Sequence, residues 1–318
     1  MRKHVVGVSI GSSIRDHHAV VEWLGHTIEV ERRGTNGDIA AAVRMVSELD
    51  GKVDAIGMGG IDLELCSPHG KIFPLRAAFP IVQAARTTPI VDGSGVKRTL
   101  ENNVIGQLEQ QGIVFGGKKV LLVSGLDRFG MLKGLHAAGA DMMIGDVMFA
   151  LGIPLPIRRL STLNKLAGIL LPPLSLMPFS MIYPTGDKQH VREPERYRKQ
   201  YEWADVIAGD FLFINRYMPL DMTGKTVLTN TVTAGDVENM RQRGVELLIT
   251  TTPDIDGRSF GTNVMQAMLV AIIGKRPEAI RDEEYMDVFA RMPCSYRIIR
   301  LQEERSPLFT TPARAMAT

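Results

Sequence analysis

The stretch Ser124-Gly-Leu-Asp-Arg-Phe-Gly-Met131 is where residue types and spacing first point to chemistry. It follows the apolar run Lys118-Lys-Val-Leu-Leu-Val-Ser124 and leads into a helical pattern near 128–138. Glycines between a buried strand and a helix permit a tight turn. They let backbone N–H groups approach a pyrophosphate, and the helix dipole there favours negative charge. Gly125 and Gly130 take the first and last places of G-x-G-x-x-G, with Asp127 where the middle glycine belongs. Arg128 and Phe129 lie between them. Asp146 closes the next strand, about twenty residues on, where an acid accepts from a ribose 2′-hydroxyl and repels a 2′-phosphate. The expectation is therefore a cofactor site for NAD, with NADP disfavoured. It comprises Gly125, Asp127, Arg128, Phe129, Gly130 and Asp146, joined by Asn230, Thr231 and Thr251 just past later strands. The plainer reading is that the two glycines close a β–α turn and Asp146 caps the following helix.

The elements that must position these residues alternate along the chain. Strands are expected at Val5–Ile10, Thr27–Arg32, Val53–Met58 and Pro89–Val91, and helices at Asp38–Leu49, Leu75–Arg86 and Gly95–Gln111. After Gly116-Gly117 come strands at 119–124, Asp141–Ile144, Asp205–Ala208, Thr226–Thr229 and Leu247–Thr250. Helices are expected near Gly235–Arg243, Gly261–Ile273 and Asp282–Arg291, and a last strand at Tyr296–Leu301. Repeated β-α-β units imply an α/β protein of two α/β domains, the C-terminal one a Rossmann-like doubly wound parallel sheet. The expected bounds are 1–115 for an N-terminal substrate domain, 116–275 for the nucleotide domain and 276–318 for a C-terminal extension. The apolar stretch 166–184 holds four prolines, which argue against a membrane span and for a buried excursion or a lid.

Hydrophobic residues make up 45% and charged residues 23% of the 318, with a net charge of +2, which excludes global disorder and a basic nucleic-acid face. Two distant cysteines exclude a disulfide scaffold, make a zinc site improbable and point to a reducing compartment. No metal is expected. With no apolar leader at the start, the expected location is cytoplasmic. Expected partners are a small-molecule substrate and other copies of the chain, with neither nucleic acid nor membrane.

Smaller features stand beside these. Ser12 and Ser13 follow the first strand with amides and hydroxyls suited to an anionic group. Gly57-Met-Gly-Gly-Ile-Asp62 lets a ligand or another backbone approach closely, and places Asp62 and Glu64 toward a cleft. His17 and His18 read as surface residues, and Lys188 and Gln189 as contacts to a carboxylate or as plain surface.

Asp256-Gly-Arg-Ser-Phe-Gly-Thr-Asn-Val-Met-Gln266, with the helix exit Gly274-Lys-Arg-Pro277, resembles the closing segment of shikimate and quinate dehydrogenases. The stretches Val123–Gly130 and Thr250–Pro253 are similar to bacterial quinate 5-dehydrogenase-like proteins. The resemblance implies hydride transfer between a nicotinamide and a small hydroxylated acid. It also implies Lys97 and Asp92 as the catalytic pair and Gln266 and Asn263 as substrate contacts. A lysine in the first turn of a helix, partly desolvated, would have its pKa lowered toward the working range of an acid–base group. Two rivals accompany this reading: a non-redox nucleotide-binding or regulatory protein, and a transferase using an adenine-containing cofactor such as S-adenosylmethionine.

Overall fold

Short apolar runs separated by helices build two principal sheets, one from residues 2–91 and one from residues 119–300. The computed structural model describes residues 1–67, 71–178, 192–255, 258–292 and 296–302. The first sheet holds β1 (Arg2–Ser9), β2 (His17–Trp23), β3 (His26–Gly34), β4 (Ala55–Gly59) and β7 (Ile90–Val91). Its order is β2-β3-β1-β4-β7, parallel except that β2 runs antiparallel to β3. Between β3 and β4 lies α1 (Ile39–Leu49), whose first turn is capped by the Asp38 carboxylate accepting from the Ala41 amide. The hairpin β5 (Glu64–Cys66) and β6 (Ile72–Pro74) and the short α2 (Phe79–Val82) separate β4 from β7.

A long helix, α3 (Ser94–Gln110), leads to the second unit. That unit runs β8 (Lys119–Leu122), α4 (Phe129–Ala137), β9 (Asp141–Ile144), α5 (Asp146–Leu151), α6 (Leu160–Ser175), α7 (Arg198–Trp203), β10 (Val206–Gly209) and α8 (Phe211–Tyr217). It continues through β11 (Thr226–Thr229), α9 (Ala234–Gln242), β12 (Leu247–Thr250), the two-stranded β13 (Asp254–Ile255) and β14 (Arg258–Ser259), α10 (Thr262–Ile273), α11 (Asp282–Phe289) and β15 (Arg297–Arg300). The sheet order is β15-β12-β11-β10-β8-β9, all parallel but for β15. Its parallel strands, in order of appearance, lie second-first-third-fourth-fifth, so the winding reverses between β8 and β10. The expected two-unit α/β architecture with a doubly wound sheet is borne out.

Three side-chain clusters hold these layers. Val6, Val8, Ile56 and Met58 of the first sheet bury their outer face against Ala42 and Val46 of α1. Leu121, Val123, Ile207 and Leu248 bury the outer face of the second sheet under Phe149, Tyr197, Tyr201 and Tyr217. The third cluster joins the units: Val96, Leu100 and Val104 of α3 and Val264, Met265 and Met268 of α10 pack with Val5 and Val30 on one side and Val120, Leu122 and Val206 on the other. A helix of the second unit thus lies under the first sheet. Its seat is made of glycines: a Cβ at Gly57 would stand 2.6 Å from the Asn263 carbonyl oxygen, and one at Gly93 2.7 Å from Thr262 Oγ1. The glycine of β4 and the one past β7 therefore admit another backbone.

Some elements depart from the sequence reading. β2, whose residues His17–Trp23 alternate between exposed and buried on an edge of the sheet, was not expected; His17 and His18 alone read as surface. The apolar stretch begins as α6, which buries Leu163, Ala167, Leu171 and Ser175 at a spacing of one turn and carries Pro172 and Pro173 in its last turn. Those prolines end a helix rather than preventing one. Residues 179–191, including Lys188 and Gln189, lie outside the described residues. Among the described residues no helix is long and apolar enough to cross a membrane.

Helices α3 and α4 touch through glycines of α4. A Cβ at Gly130 would collide with the Lys97 carbonyl oxygen, and one at Gly134 would lie 2.8 Å from Ile105. Gly130→Ala should therefore cost about 1–3 kcal/mol through overpacking against backbone that cannot rotate away. The expected result is a lower urea midpoint with an unchanged slope.

Candidate functional site

The loops at the C-terminal ends of strands from both sheets meet at a chain of charged side chains. Lys97, in the first turn of α3, donates from Nζ to Asp62 Oδ1 at 2.9 Å and to Asp127 Oδ1 at 2.5 Å. Asp62 follows β4, and Asp127 lies in the turn after β8. Arg128 Nε approaches Asp127 Oδ2 at 3.1 Å. The same guanidinium donates to Glu101 of α3 at 2.8 Å and to Asp210, just past β10, at 2.7 Å. Asn230, past β11, donates to Asp210 Oδ2 at 3.2 Å. Four carboxylates thus surround two cations, leaving a formal excess of negative charge. Arg128 and Glu101 are buried, whereas the side chains of Asp62 and Asp127 keep 25% and 29% of their surface in solvent.

Electrostatics follow from this packing. Burial alone would lower the Lys97 pKa, but Asp127 and Asp62 hold it above the ordinary lysine range. Lys97 is a fixed cation, which corrects the expectation of a group tuned toward neutral acid–base work. Burial opposes ionisation of Asp127 too, yet Lys97 and Arg128 hold its carboxyl down to about 2. Glu101 goes the other way, pushed up by burial against the pull of Arg128.

The turn expected to grip a pyrophosphate is already filled. The Gly125 amide donates to Asp146 Oδ2 and the Leu126 amide to Asp146 Oδ1, both at 2.8 Å. Asp146 sits where a ribose-binding acid belongs in the sequence but turns back to cap the β8–α4 turn. Phe129 opens α4 and packs against the shared core, and Gly130 serves helix contact. The sheet order is moreover not the 3-2-1-4-5-6 arrangement that spans a dinucleotide. The NAD reading is overturned at the residues meant to carry it.

The remaining predicted site residues are distributed as follows. Asp92 does not pair with Lys97; it accepts from the Leu63 and Ser94 amides and ties the β7–α3 turn. Gln266, buried, accepts from the Gly93 amide at 2.8 Å and donates to Tyr285 at 3.0 Å, locking α10 to that turn. Asn263 donates to the Gly57 carbonyl. Ser12 caps a single helical turn by accepting from the Ile14 amide, and Ser13 pairs with Asn36, far from the charged chain in bonding terms. Thr231 donates to the Phe260 carbonyl, and Thr251 is buried. The structure brings Lys97, Asp127, Arg128 and Asn230 together with Asp62. It adds Glu101 and Asp210, which the sequence reading missed. Asp210 had the signal of an acid directly past a parallel strand, and Glu101 lies one helical turn after Lys97.

Two surface cavities, of about 420 and 350 Å³, lie elsewhere, between α4, β9 and the start of α6. Leu132, Ile144, Ile157 and Leu166 line them, and no buried charge converges there, so the strand-end cluster is the better candidate.

The buried ion pair sets a stability test. Arg128→Met leaves Glu101 buried without its partner and should cost about 3–5 kcal/mol. Adding Glu101→Leu should recover part of that loss in urea unfolding. Asp146 gives a pH test. Burial pushes its pKa from the ordinary 3.8 up to about 6, despite the two amides. A folded state that holds the proton more tightly loses stability as pH rises from about 4 to about 6, by roughly 3 kcal/mol at most. Asp146→Asn should lack that decline, so the stability difference between the wild-type chain and the variant shrinks across this window.

Comparison with known proteins places these observations. A family model described as a domain of unknown function, DUF8754, matches residues 95–301, and a second, DUF8753, matches residues 4–92. No curated protein matches the chain. A glucose-galactose binding protein from Geobacillus stearothermophilus is 8% identical, covering 95% of this chain and 99% of its own, with a TM-score of 0.37. A transporter solute-binding protein from Agrobacterium vitis, bound with α-D-tagatopyranose, is 9% identical over 94% of this chain and 95% of its own, TM-score 0.40. Ornithine carbamoyltransferase from Pyrococcus furiosus is 14% identical over 88% of this chain and 86% of its own, TM-score 0.35. With the turn closed by Asp146, the resemblance to quinate and shikimate dehydrogenases is withdrawn, together with hydride transfer, NAD and the rival nucleotide and S-adenosylmethionine readings.

Proposed function

The chain belongs to the DUF8754 family, whose description assigns no activity, and we propose that it binds a small, neutral, polyhydroxylated molecule in the cleft where the two sheets' strand ends meet. The observation that carries this reading is the chain of ion pairs Asp62–Lys97–Asp127–Arg128–Asp210, assembled from loops of both sheets. Open α/β sheets bind ligands outside the carboxyl ends of their strands, at the point where the winding reverses. In the second sheet that point lies between β8 and β10, where Asp127, Arg128 and Asp210 stand.

The chemistry of the wall selects the ligand class. A carboxylate only accepts hydrogen bonds, an ammonium or guanidinium only donates, and a hydroxyl does both. Alternating fixed acids and bases suit hydroxyl groups, each of which donates to an aspartate and accepts from a lysine or a side-chain amide. Because Lys97 and Arg128 already supply two cations, a charged amine would have to compete with them for the same oxygens. The ion pairs hold the acceptors in place before binding, which reduces the ordering cost.

Calorimetry and thermal shift with D-ribose, D-glucose and myo-inositol, with putrescine as the cationic control, test the reading. A neutral polyol is expected to raise the melting temperature and to bind in a one-to-one ratio. Asp62→Asn and Asp127→Asn, with the fold checked by circular dichroism, should each weaken it by about tenfold or more. Stabilisation by putrescine alone, or no response to any polyol at about 10 mM, overturns it.

A further inference from the structure

The outer face of the first sheet carries a second cluster, away from the cleft. β3 lies between β1 and β2, and the register sets His4 of β1 beside Glu29 and His18 of β2 beside Glu31. Ile28 and Val30 of β3 point into the shared core, so Glu29 and Glu31 project from the opposite face. His4 Nε2 lies 3.0 Å from Glu31 Oε1, and His18 Nε2 lies 3.1 Å from Glu29 Oε1. Each glutamate keeps its other oxygen for an arginine. Arg2 donates to Glu29 Oε2 at 2.9 Å, and Arg33 donates to Glu31 Oε2 at 2.6 Å.

This division of oxygens is the informative feature. Both Oε1 atoms face imidazole nitrogens, and both Oε2 atoms are held from outside by guanidinium groups. The ligand atoms of His4, Glu29 and Glu31 all lie within 4.8 Å of one another. Zinc bound by imidazole nitrogen and carboxylate oxygen at about 2.0–2.2 Å has tetrahedral ligand-to-ligand edges of about 3.3 Å. The His4–Glu31 separation of 3.0 Å falls close to that edge. The arginines would then orient the ligating carboxylates from behind, the place outer-shell partners occupy in metal sites.

We infer that His4, Glu29 and Glu31 form a binding site for a divalent transition metal of the zinc class, with the fourth position left open. Mixed imidazole and carboxylate donors suit zinc and its neighbours, and disfavour magnesium and calcium, which take oxygen alone. A metal here would clasp β1 to β3. The sequence argument against zinc rested on cysteine spacing. It does not reach this site, whose ligands come from two strands and meet only through sheet pairing.

Isothermal titration of the full chain, stripped with chelator and titrated with zinc chloride, tests the site. One equivalent is expected to bind with a Kd of about 10 µM or tighter, and to raise the melting temperature. Magnesium at the same concentration should do neither. The variant His4→Ala should fold, since its ring is partly in solvent, and should lose about a hundredfold or more in affinity. Glu29→Gln/Glu31→Gln, which keeps size and removes charge, should lose it as well. Absence of zinc binding below about 100 µM, or binding undiminished in both variants, overturns the inference.

Discussion

A guanidinium taken out of water must meet carboxylates, and Arg128 is the residue on which this constraint falls hardest. Its side chain is 3% exposed and meets Glu101, which is fully buried. Stripping hydration from such groups costs several kcal/mol each unless geometry returns it. Satisfying Arg128 therefore fixes three things at once: the face of α3 that bears Glu101, the turn after β8, and the loop after β10. Lys97 lies one turn before Glu101 on the same helix and is drawn to Asp62 and Asp127 by the same requirement. The strand-end loops take their places because these pairings leave few other ways to bury two cations between two sheets.

Much of the architecture was legible because parallel strands buried on both faces read as unbroken apolar runs. Asp141–Ile144, Thr226–Thr229 and Leu247–Thr250 have the expected bounds, since turn residues flank each of them closely. The edge strand β2 gives no such signal. β2, half in solvent, alternates like any amphipathic surface, and the helices α5, α7 and α8 are too short for a periodic pattern to separate them from loops. Residues of the charged chain were visible one at a time. Lys97, Asp127, Arg128 and Asp62 each stood at a strand end or helix start, but their pairing depends on partners 27 to 82 positions away, which spacing alone does not convey.

The dehydrogenase expectation failed for a related reason. A glycine turn followed about twenty residues later by an acid at a strand end is read as a nucleotide grip because of where both elements lie. The same placement lets the acid reach back to the turn and satisfy its amides, as Asp146 does. The two outcomes differ only in the direction of one side chain. Gln266 shows the same ambiguity: a polar residue on a helix facing the first unit reads as a substrate contact, yet it is consumed by Gly93 and Tyr285.

The seat of α10 under the first sheet has a consequence for how the chain is made. Val264 and its neighbours complete the core facing Val5 and Val30, and the bonds that secure the helix span 173 and 206 positions. On a ribosome the five strands of the first sheet emerge long before that helix exists. One side of their sheet stays uncovered until residue 273 has left the exit tunnel. Closing contacts of such separation is slow relative to local pairing. During synthesis the early segment accordingly presents an apolar surface that a holding chaperone would shield, and its native order arrives only as the late helix slides into its glycine-lined berth.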